Sequence, residues 1–364
     1  MVDGSLRVIS GVGLKGPACF VLETAGLRLM LDLGEGPPPG LFPKIDDIGR
    51  LDALVLSHGH RDHVGGLALL PKLGNPPVYA TEIVLSTQSG ALPAGIAARP
   101  LPVGGRGEVL GMPVETGRNG HAPGGIWLNF AVGDGVLYTG DISRESILYA
   151  YDPPARPAAT VLMDCSYGSY DTPIADGWEK LAPFVERGPL LLPVPANGRG
   201  PEIALTLLRH GRTDIFVDDA MRKALAQLGG SAAVSLHADA ADGIRRLIDI
   251  AKPIDGPRGI MLAGTADGTS GATAELFAAW GNKPEPAIVF TGYVNPTTPA
   301  DHLVKSGRAH FLRWNVHPRL ADTVELARDV QARTVIPAFC DRSQLAALTA
   351  ALAPARVTMD DVRW

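Results

Sequence analysis

The sequence reads Ser57-His58-Gly59-His60-Arg61-Asp62-His63-Val64-Gly65-Gly66 directly after the apolar run 53–56, and this segment decides the fold of the chain. His58 and His60 lie two residues apart at the end of a predicted strand, so their imidazoles project to the same side. Gly59 lets the chain turn between them. Asp62 and His63 fall on the first turn of the next element, offset from that pair and suited to a second cation. The segment therefore predicts a site for two metal ions, and a loop of solvated histidines is the alternative.

Two isolated residues further along the chain are candidates for completing this site, because a metal centre draws ligands from separate parts of a sequence. His121 lies in a glycine-rich loop, where a core histidine is not expected. Asp141 follows the predicted strand 136–139, where its carboxylate could bridge two cations. An ordinary loop histidine and an acid that closes an Asx turn are the alternatives. Asp32, at the end of another predicted strand, could orient a ligand or only cap a turn.

Length and composition restrict the class of protein. A chain of 364 residues is long enough for two domains, each with its own core. The 33 Lys and Arg residues against 38 Asp and Glu residues give a net charge of −5. The chain therefore has no excess of basic residues that would indicate binding to nucleic acid. Three distant cysteines, and an N-terminus without a basic and then an apolar segment, predict a reducing, cytoplasmic location. The apolar runs are well below the ~18 residues of a membrane span, so no membrane segment is expected.

The order of the predicted elements changes along the chain. Short β segments separated by glycine-containing turns fill the first part and predict sheets. From about residue 177, helical and extended segments alternate, which is the pattern of a parallel α/β unit. The last part of the chain repeats this alternation. The sequence therefore predicts an α/β protein.

The metal-ligand motifs resemble those of the metallo-β-lactamase superfamily. The resemblance rests on His58-x-His60-x-Asp62-His63, on His121 and on Tyr138-Thr-Gly-Asp141. It implies an αββα sandwich with one or two zinc ions at one edge. The ligands that it implies are His58, His60 and His121 for the first zinc and Asp62 and His63 for the second, with Asp141 between the two ions.

The rest of the chain resembles the β-CASP nucleases within that superfamily, a group that includes the endonuclease subunit of the cleavage and polyadenylation factor. Leu162-Met-Asp164-Cys-Ser-Tyr-Gly168 looks like the family's motif A. Leu192-Pro-Val-Pro-Ala-Asn-Gly198-Arg199-Gly-Pro-Glu202 looks like its segment P-x-x-A-x-G-R-x-x-E, and Thr291-Gly-Tyr293 like its GY segment. Asn315-Val-His317 stands where motif B has its histidine. The resemblance thus covers nearly the whole chain.

The same resemblance implies that the β-CASP part is inserted into the metal-binding part. His317 can serve a site built from residues 58–141 only if the chain returns to it, whereas the alternating elements in between need a parallel sheet of their own. We therefore expect residues 1–168 and 310–364 to form the metallo-β-lactamase domain and residues 169–309 to form an inserted α/β β-CASP cap.

By this resemblance the protein is expected to hydrolyse phosphodiester bonds of RNA, with single-stranded DNA as another substrate. Zinc lowers the pKa of bound water from ~16 to ~7, which suits hydrolysis at neutral pH. The residues expected to be catalytic are Asp62, His317 as the acid that protonates the leaving oxygen, and Asp164 as its carboxylate partner. Arg199 could bind a substrate phosphate, and a structural salt bridge to Glu202 is the alternative.

One segment departs from the family pattern. Val335-Ile-Pro-Ala-Phe339-Cys340-Asp341 puts Phe339 where motif C of the RNA-cleaving members has a histidine, so a second zinc would lose a ligand. The thiolate of Cys340 could replace it only if the strand end were twisted by one residue. Two other functions stay open: a hydrolase of a small ester, lactone or cyclic phosphodiester, and a catalytically weakened scaffold in an RNA-processing complex. The sequence leaves the number of bound zinc ions and the oligomeric state open.

Overall fold

Within residues 4–37 and 39–364, which the computed structural model describes, the strands form two sheets of seven strands and one of six. The strands are β1 (Gly4–Ser10), β2 (Cys19–Thr24), β3 (Leu27–Leu31), β4 (Ala53–Val55), β5 (Val78–Thr81), β6 (Ala98–Leu101), β7 (Gly105–Val109), β8 (Met112–Arg118), β9 (Ile126–Phe130), β10 (Val136–Tyr138), β11 (Thr160–Asp164), β12 (Leu190–Pro193), β13 (Ile215–Val217), β14 (Lys252–Pro253), β15 (Ile260–Ala263), β16 (Ala287–Phe290), β17 (Ala309–Phe311), β18 (Thr334–Ala338), β19 (Arg356–Val357) and β20 (Val362–Arg363). The α-helices are α1 (Arg61–Val64), α2 (Glu82–Thr87), α3 (Ile174–Arg187), α4 (Arg199–Arg209), α5 (Asp219–Leu228), α6 (Ala240–Ile250), α7 (Gly271–Trp280), α8 (Pro299–Lys305), α9 (Leu320–Asp329) and α10 (Leu345–Ala351). Short 3₁₀ helices cover Leu67–Leu73, Ala233–Ser235 and Arg342–Gln344.

The chain divides into two units. Unit 1 contains the residues up to Arg144, Ala150–Asp171 and His317–Trp364, and unit 2 contains Glu145–Tyr149 and Thr172–Val316. The domain limits expected from the sequence, at residues 168 and 310, stay a prediction. The short excursion of residues 145–149 into unit 2 has no counterpart in that prediction.

Unit 1 contains the two seven-stranded sheets. The first has the order β20-β1-β2-β3-β4-β5-β6, antiparallel up to β3 and parallel from β3 onward. The second has the order β19-β18-β11-β10-β9-β8-β7, parallel from β19 to β10 and antiparallel from β10 to β7. The tight hairpin between β2 and β3 turns at Ala25 and Gly26, which both have positive φ angles of 50° and 77°, as a two-residue type I′ turn requires.

Alternating side chains explain why these two sheets pack face to face. Phe20, Leu22 and Leu29 point from the first sheet into one buried cluster, where they meet residues of the second sheet such as Leu128 and Tyr138. The neighbours of these residues along the strands point to the outer faces of the sheets, which is the period-two pattern of strands. Helices α1 and α2 cover the outer face of the first sheet, and α9 and α10 cover that of the second. This confirms the predicted αββα sandwich.

Unit 2 is built on a single parallel sheet with the order β14-β13-β15-β12-β16-β17. Its central strands β12 and β15 are apolar and buried along their whole length, which is typical of strands covered by helices on both faces. Helices α3 to α8 alternate with these strands in the sequence. The prediction of an inserted α/β part is therefore confirmed. No helix in the described ranges is long and apolar enough to cross a membrane.

A buried carboxylate on α4 holds the segment 145–149 within unit 2. Glu202 is 2% exposed and accepts a hydrogen bond of 2.9 Å from the backbone nitrogen of Ile147. Burial raises the pKa of Glu202 to about 7, although hydrogen bonds from Ser146, Ile147 and Trp314 and the charge of Arg199 act in the opposite direction. The folded protein therefore retains a proton on Glu202 at pH values where the unfolded chain releases it.

We predict that this carboxylate makes stability depend on pH. Because folding raises the pKa of Glu202 from its ordinary value of 4.5 to about 7, the free energy of unfolding should fall as the pH rises across this interval and level off above it. The glutamine of Glu202→Gln does not titrate. The free energy of unfolding of this variant, relative to that of the wild type, should therefore rise by about 3 kcal/mol between pH 4 and pH 8. Urea denaturation at both pH values measures this difference. Glu186→Gln, an exposed position on α3, should show no such trend.

Candidate metal centre

The predicted ligands come from loops that follow strands of both sheets of unit 1. His58 and His60 follow β4, and α1 then carries Asp62 and His63. His121 follows β8 and Asp141 follows β10. The structure brings these six residues together around Asp141, in two groups whose ligand atoms lie within 4.8 Å of one another.

The first group contains three imidazoles and one carboxylate. His60 Nδ1 lies 3.1 Å from His58 Nε2 and 3.0 Å from His121 Nε2. Asp141 Oδ2 lies 3.9 Å from His58 Nε2 and 3.5 Å from His121 Nε2. All four side chains converge on one point.

This donor set fits a divalent cation. Each imidazole nitrogen offers either one proton or one lone pair, so protons alone cannot satisfy the close approach of three such nitrogens to one another. Burial, together with the neighbouring His63 and His60, holds the pKa of His58 well below its usual range, which leaves the ring neutral with a lone pair for a metal. Although burial opposes ionisation of Asp141, His63 and His317 hold its pKa well below its usual range. Neutral imidazoles beside a carboxylate are the ligands that divalent transition metals prefer.

The second group contains Asp62, His63 and Asp141. His63 Nε2 lies 3.2 Å from Asp141 Oδ1, and His63 Nδ1 lies 2.7 Å from Asp32 Oδ2. Burial opposes protonation of His63, but Asp141 and Asp32 raise its pKa well above its usual range. His63 thus donates its Nδ1 proton to Asp32 in a hydrogen bond, and its Nε2 faces the carboxylate of Asp141.

Asp32 itself is fully buried at the end of β3, with a positive φ of 56°. It accepts hydrogen bonds from the backbone and hydroxyl of Ser57, at 2.7 and 2.6 Å, and from the hydroxyl of Tyr138. Of the two roles that the sequence allowed, the contact with His63 favours the orientation of a ligand. The sequence did not reveal the parts of Ser57 and Tyr138, although both lie within motifs that carry ligands.

His317 lies on the other side of Asp141. Its Nδ1 is 2.9 Å from Asp164 Oδ2 and 3.7 Å from Asp141 Oδ2. Asp164 is fully buried at the end of β11, and the backbone nitrogen of Ile142 donates to the same oxygen at 3.1 Å. The ring of Tyr167 lies 5.2 Å from the ring of His317, a contact that no sequence pattern indicates. His317 can therefore exchange a proton through Nε2 while Asp164 holds Nδ1.

Phe339 occupies the space beside His63. Its buried ring lies 5.1 Å from the imidazole of His63 and 6.2 Å from Phe20, and its φ is +63°. Cys340 Sγ lies 3.6 Å from the carbonyl oxygen of Pro337, and burial raises the pKa of Cys340 to about 11. Among the described residues, Cys340 does not join the groups around Asp141, so the second group has three ligand residues.

Arg199 belongs to unit 2, where it begins α4. Its guanidinium packs on Gly292, at which an added Cβ would lie 2.0 Å from Arg199 Nη1. The GY segment at residues 291–293 therefore has a steric reason for its glycine. The binding of a substrate phosphate by Arg199 stays a prediction.

Comparison with known proteins gives related sequences across most of the chain. The family model of the metallo-β-lactamase superfamily matches residues 12–182. Transcription termination factor FttA of Methanosarcina mazei is 24% identical, over 88% of this chain and 62% of that protein. Ribonuclease TTHA0252 of Thermus thermophilus is 30% identical, over 60% of this chain and 57% of that protein. Cleavage and polyadenylation specificity factor 73 of Drosophila melanogaster is 23% identical, over 93% and 60%.

The matched regions cover less than two thirds of the length of these curated relatives. A crystal structure of a protein of unknown function from Enterococcus faecalis V583 covers 100% of both chains, with a TM-score of 0.64 and 14% identity, and supports the fold alone. The order of the ligands, the αββα sandwich with its inserted α/β unit and these sequence matches lead to the same assignment. Residues 12–182 match the metallo-β-lactamase superfamily, and over most of its length the chain is similar to nucleases of the β-CASP group.

Proposed function

We propose that this protein is a zinc-dependent ribonuclease that hydrolyses phosphodiester bonds of RNA. One observation carries the proposal: the four-residue ligand group shares Asp141 with the His317–Asp164 pair, so a metal and a proton donor would act at the same place. The names of the relatives, which include a ribonuclease and a cleavage and polyadenylation factor, support RNA as the substrate. Single-stranded DNA is the competing substrate.

The donor set supports zinc as the metal. Three imidazoles and a carboxylate suit zinc, which takes nitrogen ligands from His and oxygen ligands from Asp. In this proposal His58, His60, His121 and Asp141 hold the first zinc, and Asp62, His63 and Asp141 hold a second. The three cysteines are free thiols, which supports a reducing, cytoplasmic location. Residues 1–168 and 310–364 would be the metallo-β-lactamase domain, and residues 169–309 the β-CASP domain.

Zinc supplies, when bound, a Lewis acid that makes water a nucleophile at neutral pH and balances negative charge on phosphorus. Asp32 accepts the Nδ1 proton of His63 in a hydrogen bond, so that Nε2 faces Asp141 and would hold a second ion. His317 donates a proton from Nε2 to the leaving oxygen. Asp164 stabilises the charged imidazole by accepting from Nδ1. Arg199 binds a phosphate of the substrate through its planar guanidinium.

The function is tested by metal content and RNA cleavage together. Zinc-loaded protein should cleave labelled single-stranded RNA, and His58→Ala and His121→Ala should lose both zinc and cleavage because each removes a ligand of the first ion. Elemental analysis after gel filtration measures the metal. His302→Ala, an exposed histidine on α8, should keep both properties. Parallel assays with single-stranded DNA and a small phosphodiester distinguish the substrates, and full zinc retention in both ligand variants would refute the proposal.

Phe339 should make the second zinc position weak, since three ligand residues are available there against four at the first position. We expect about one tightly bound zinc in the wild type and about two in Phe339→His, because an imidazole next to His63 can supply a further ligand. Titration with a zinc-binding dye measures the stoichiometry. Phe339→Leu, which adds no ligand, is the matched control. Two equally tight zinc ions in the wild type would contradict this expectation.

The role of His317 separates from that of the ligands in kinetic assays. His317→Ala and Asp164→Asn should retain zinc and lose ~10²- to 10⁴-fold in the rate of RNA cleavage, the usual contribution of a general acid. The double variant should be little slower than either single variant, because the two residues act as a unit. The defect should shrink on a nitrophenyl phosphodiester, whose leaving group needs no proton. Loss of zinc from His317→Ala would instead identify His317 as a ligand.

A further inference from the structure

Asn315, two residues before His317, has an amide that is buried within unit 2 and that the proposed mechanism does not use. Asn315 is only 1% exposed. Asn315 Nδ2 donates to Glu145 Oε2 at 2.7 Å and to the carbonyl oxygen of Thr172 at 2.8 Å. Both protons of the amide therefore have acceptors, one of which is a carboxylate, and hydrogen bonds to charged groups are the stronger kind.

The three residues of this contact stand where the chain passes from one unit to the other. Glu145 and Thr172 are the first residues of their segments in unit 2, and Asn315 is the last but one. Glu145 follows Asp141 by four residues, and Asn315 precedes His317 by two. In unit 1 the side chains of Asp141 and His317 approach to 3.7 Å. The same two stretches of chain are thus joined twice, once at Asp141 and His317 and once at Glu145 and Asn315.

The stretch around Glu145 has further anchors that do not depend on Asn315. Glu145 Oε1 accepts from the backbone nitrogen of Ile174 at 3.0 Å. The hydroxyl oxygen of Ser146 accepts from the backbone nitrogens of Leu148 and Tyr149, at 3.2 and 2.9 Å. The segment 145–149 should therefore stay in place when the contact between Glu145 and Asn315 is removed, and the stretch that leads to His317 should be the part that loosens.

We propose that Asn315 and Glu145 are positioning residues for His317. Their hydrogen bond fixes the stretch that leads into His317 against the stretch that leads out of Asp141. This keeps the imidazole of His317 hydrogen-bonded to Asp164. A displacement of about 1 Å of a catalytic group can cost 10²-fold in rate, so one bond at this place has a measurable effect. The kinetic part of this inference rests on the proposed role of His317 as the general acid.

The test compares Asn315→Ala, Glu145→Ala and the double variant with Asp214→Ala. Asp214→Ala is the matched control, since it removes a carboxylate that accepts hydrogen bonds from Arg212 elsewhere in unit 2. With zinc content unchanged, each of the first two variants should lose on the order of 10- to 100-fold in kcat on RNA, with little change in KM. The double variant should be no worse than the more impaired single one. All three should retain nearly full kcat on the nitrophenyl phosphodiester.

A second readout does not require activity. The proton on His317 Nδ1, bound to Asp164, should give a low-field proton resonance that is absent from His317→Ala. We expect this resonance to shift or broaden in Asn315→Ala and Glu145→Ala and to stay unchanged in Asp214→Ala. An unchanged resonance, or equal losses of kcat on both substrates, would overturn the positioning role. If the wild type cleaves no RNA, the proposed function fails, and the resonance alone still decides the positioning of His317.

Discussion

The buried carboxylate of Asp32 is the contact on which the centre of unit 1 depends. A buried charge is stable only when its oxygens are hydrogen-bonded, and here the donors come from Ser57, His63 and Tyr138. Ser57 and His63 follow the first sheet, whereas Tyr138 ends a strand of the second. Asp32 therefore connects the two sheets at the edge where the metal ligands lie and sets the orientation of one of those ligands. Its left-handed backbone conformation is the local strain that this arrangement requires.

Asp141 has a comparable role on the metal side. It belongs to both ligand groups and also lies beside Asp164 and His317, so a cation, His63 and His317 all depend on the position of one carboxylate. Ligands from both sheets meet at this residue, and metal binding should therefore stabilise the sandwich as well as the site. Phe339 makes the two sides of Asp141 unequal, because it fills a position beside His63 with an apolar ring.

The sequence was informative where a local pattern carries the chemistry. The spacing of His58, His60, Asp62 and His63 and the alternation of strands and helices after residue 177 required no tertiary information. The role of Asp32 stayed open, because a buried acid and a turn cap look alike in sequence. The contact between Asn315 and Glu145 joins residues 170 positions apart, and the excursion of 145–149 into unit 2 is not marked by any change in composition. Such contacts depend on topology, which single-sequence patterns do not encode.

The strand order of the second sheet has a consequence for the order of folding. β11 lies between β10 and β18, and β18 begins at Thr334, after the whole of unit 2 in the sequence. A growing chain on the ribosome therefore carries β11 with the backbone groups of one edge unpaired until more than a hundred further residues have been made. Unpaired edges of this kind promote association between chains. β18 pairs with this edge only after unit 2 has been synthesised, so aggregation of nascent chains competes with the folding of unit 1 during that interval.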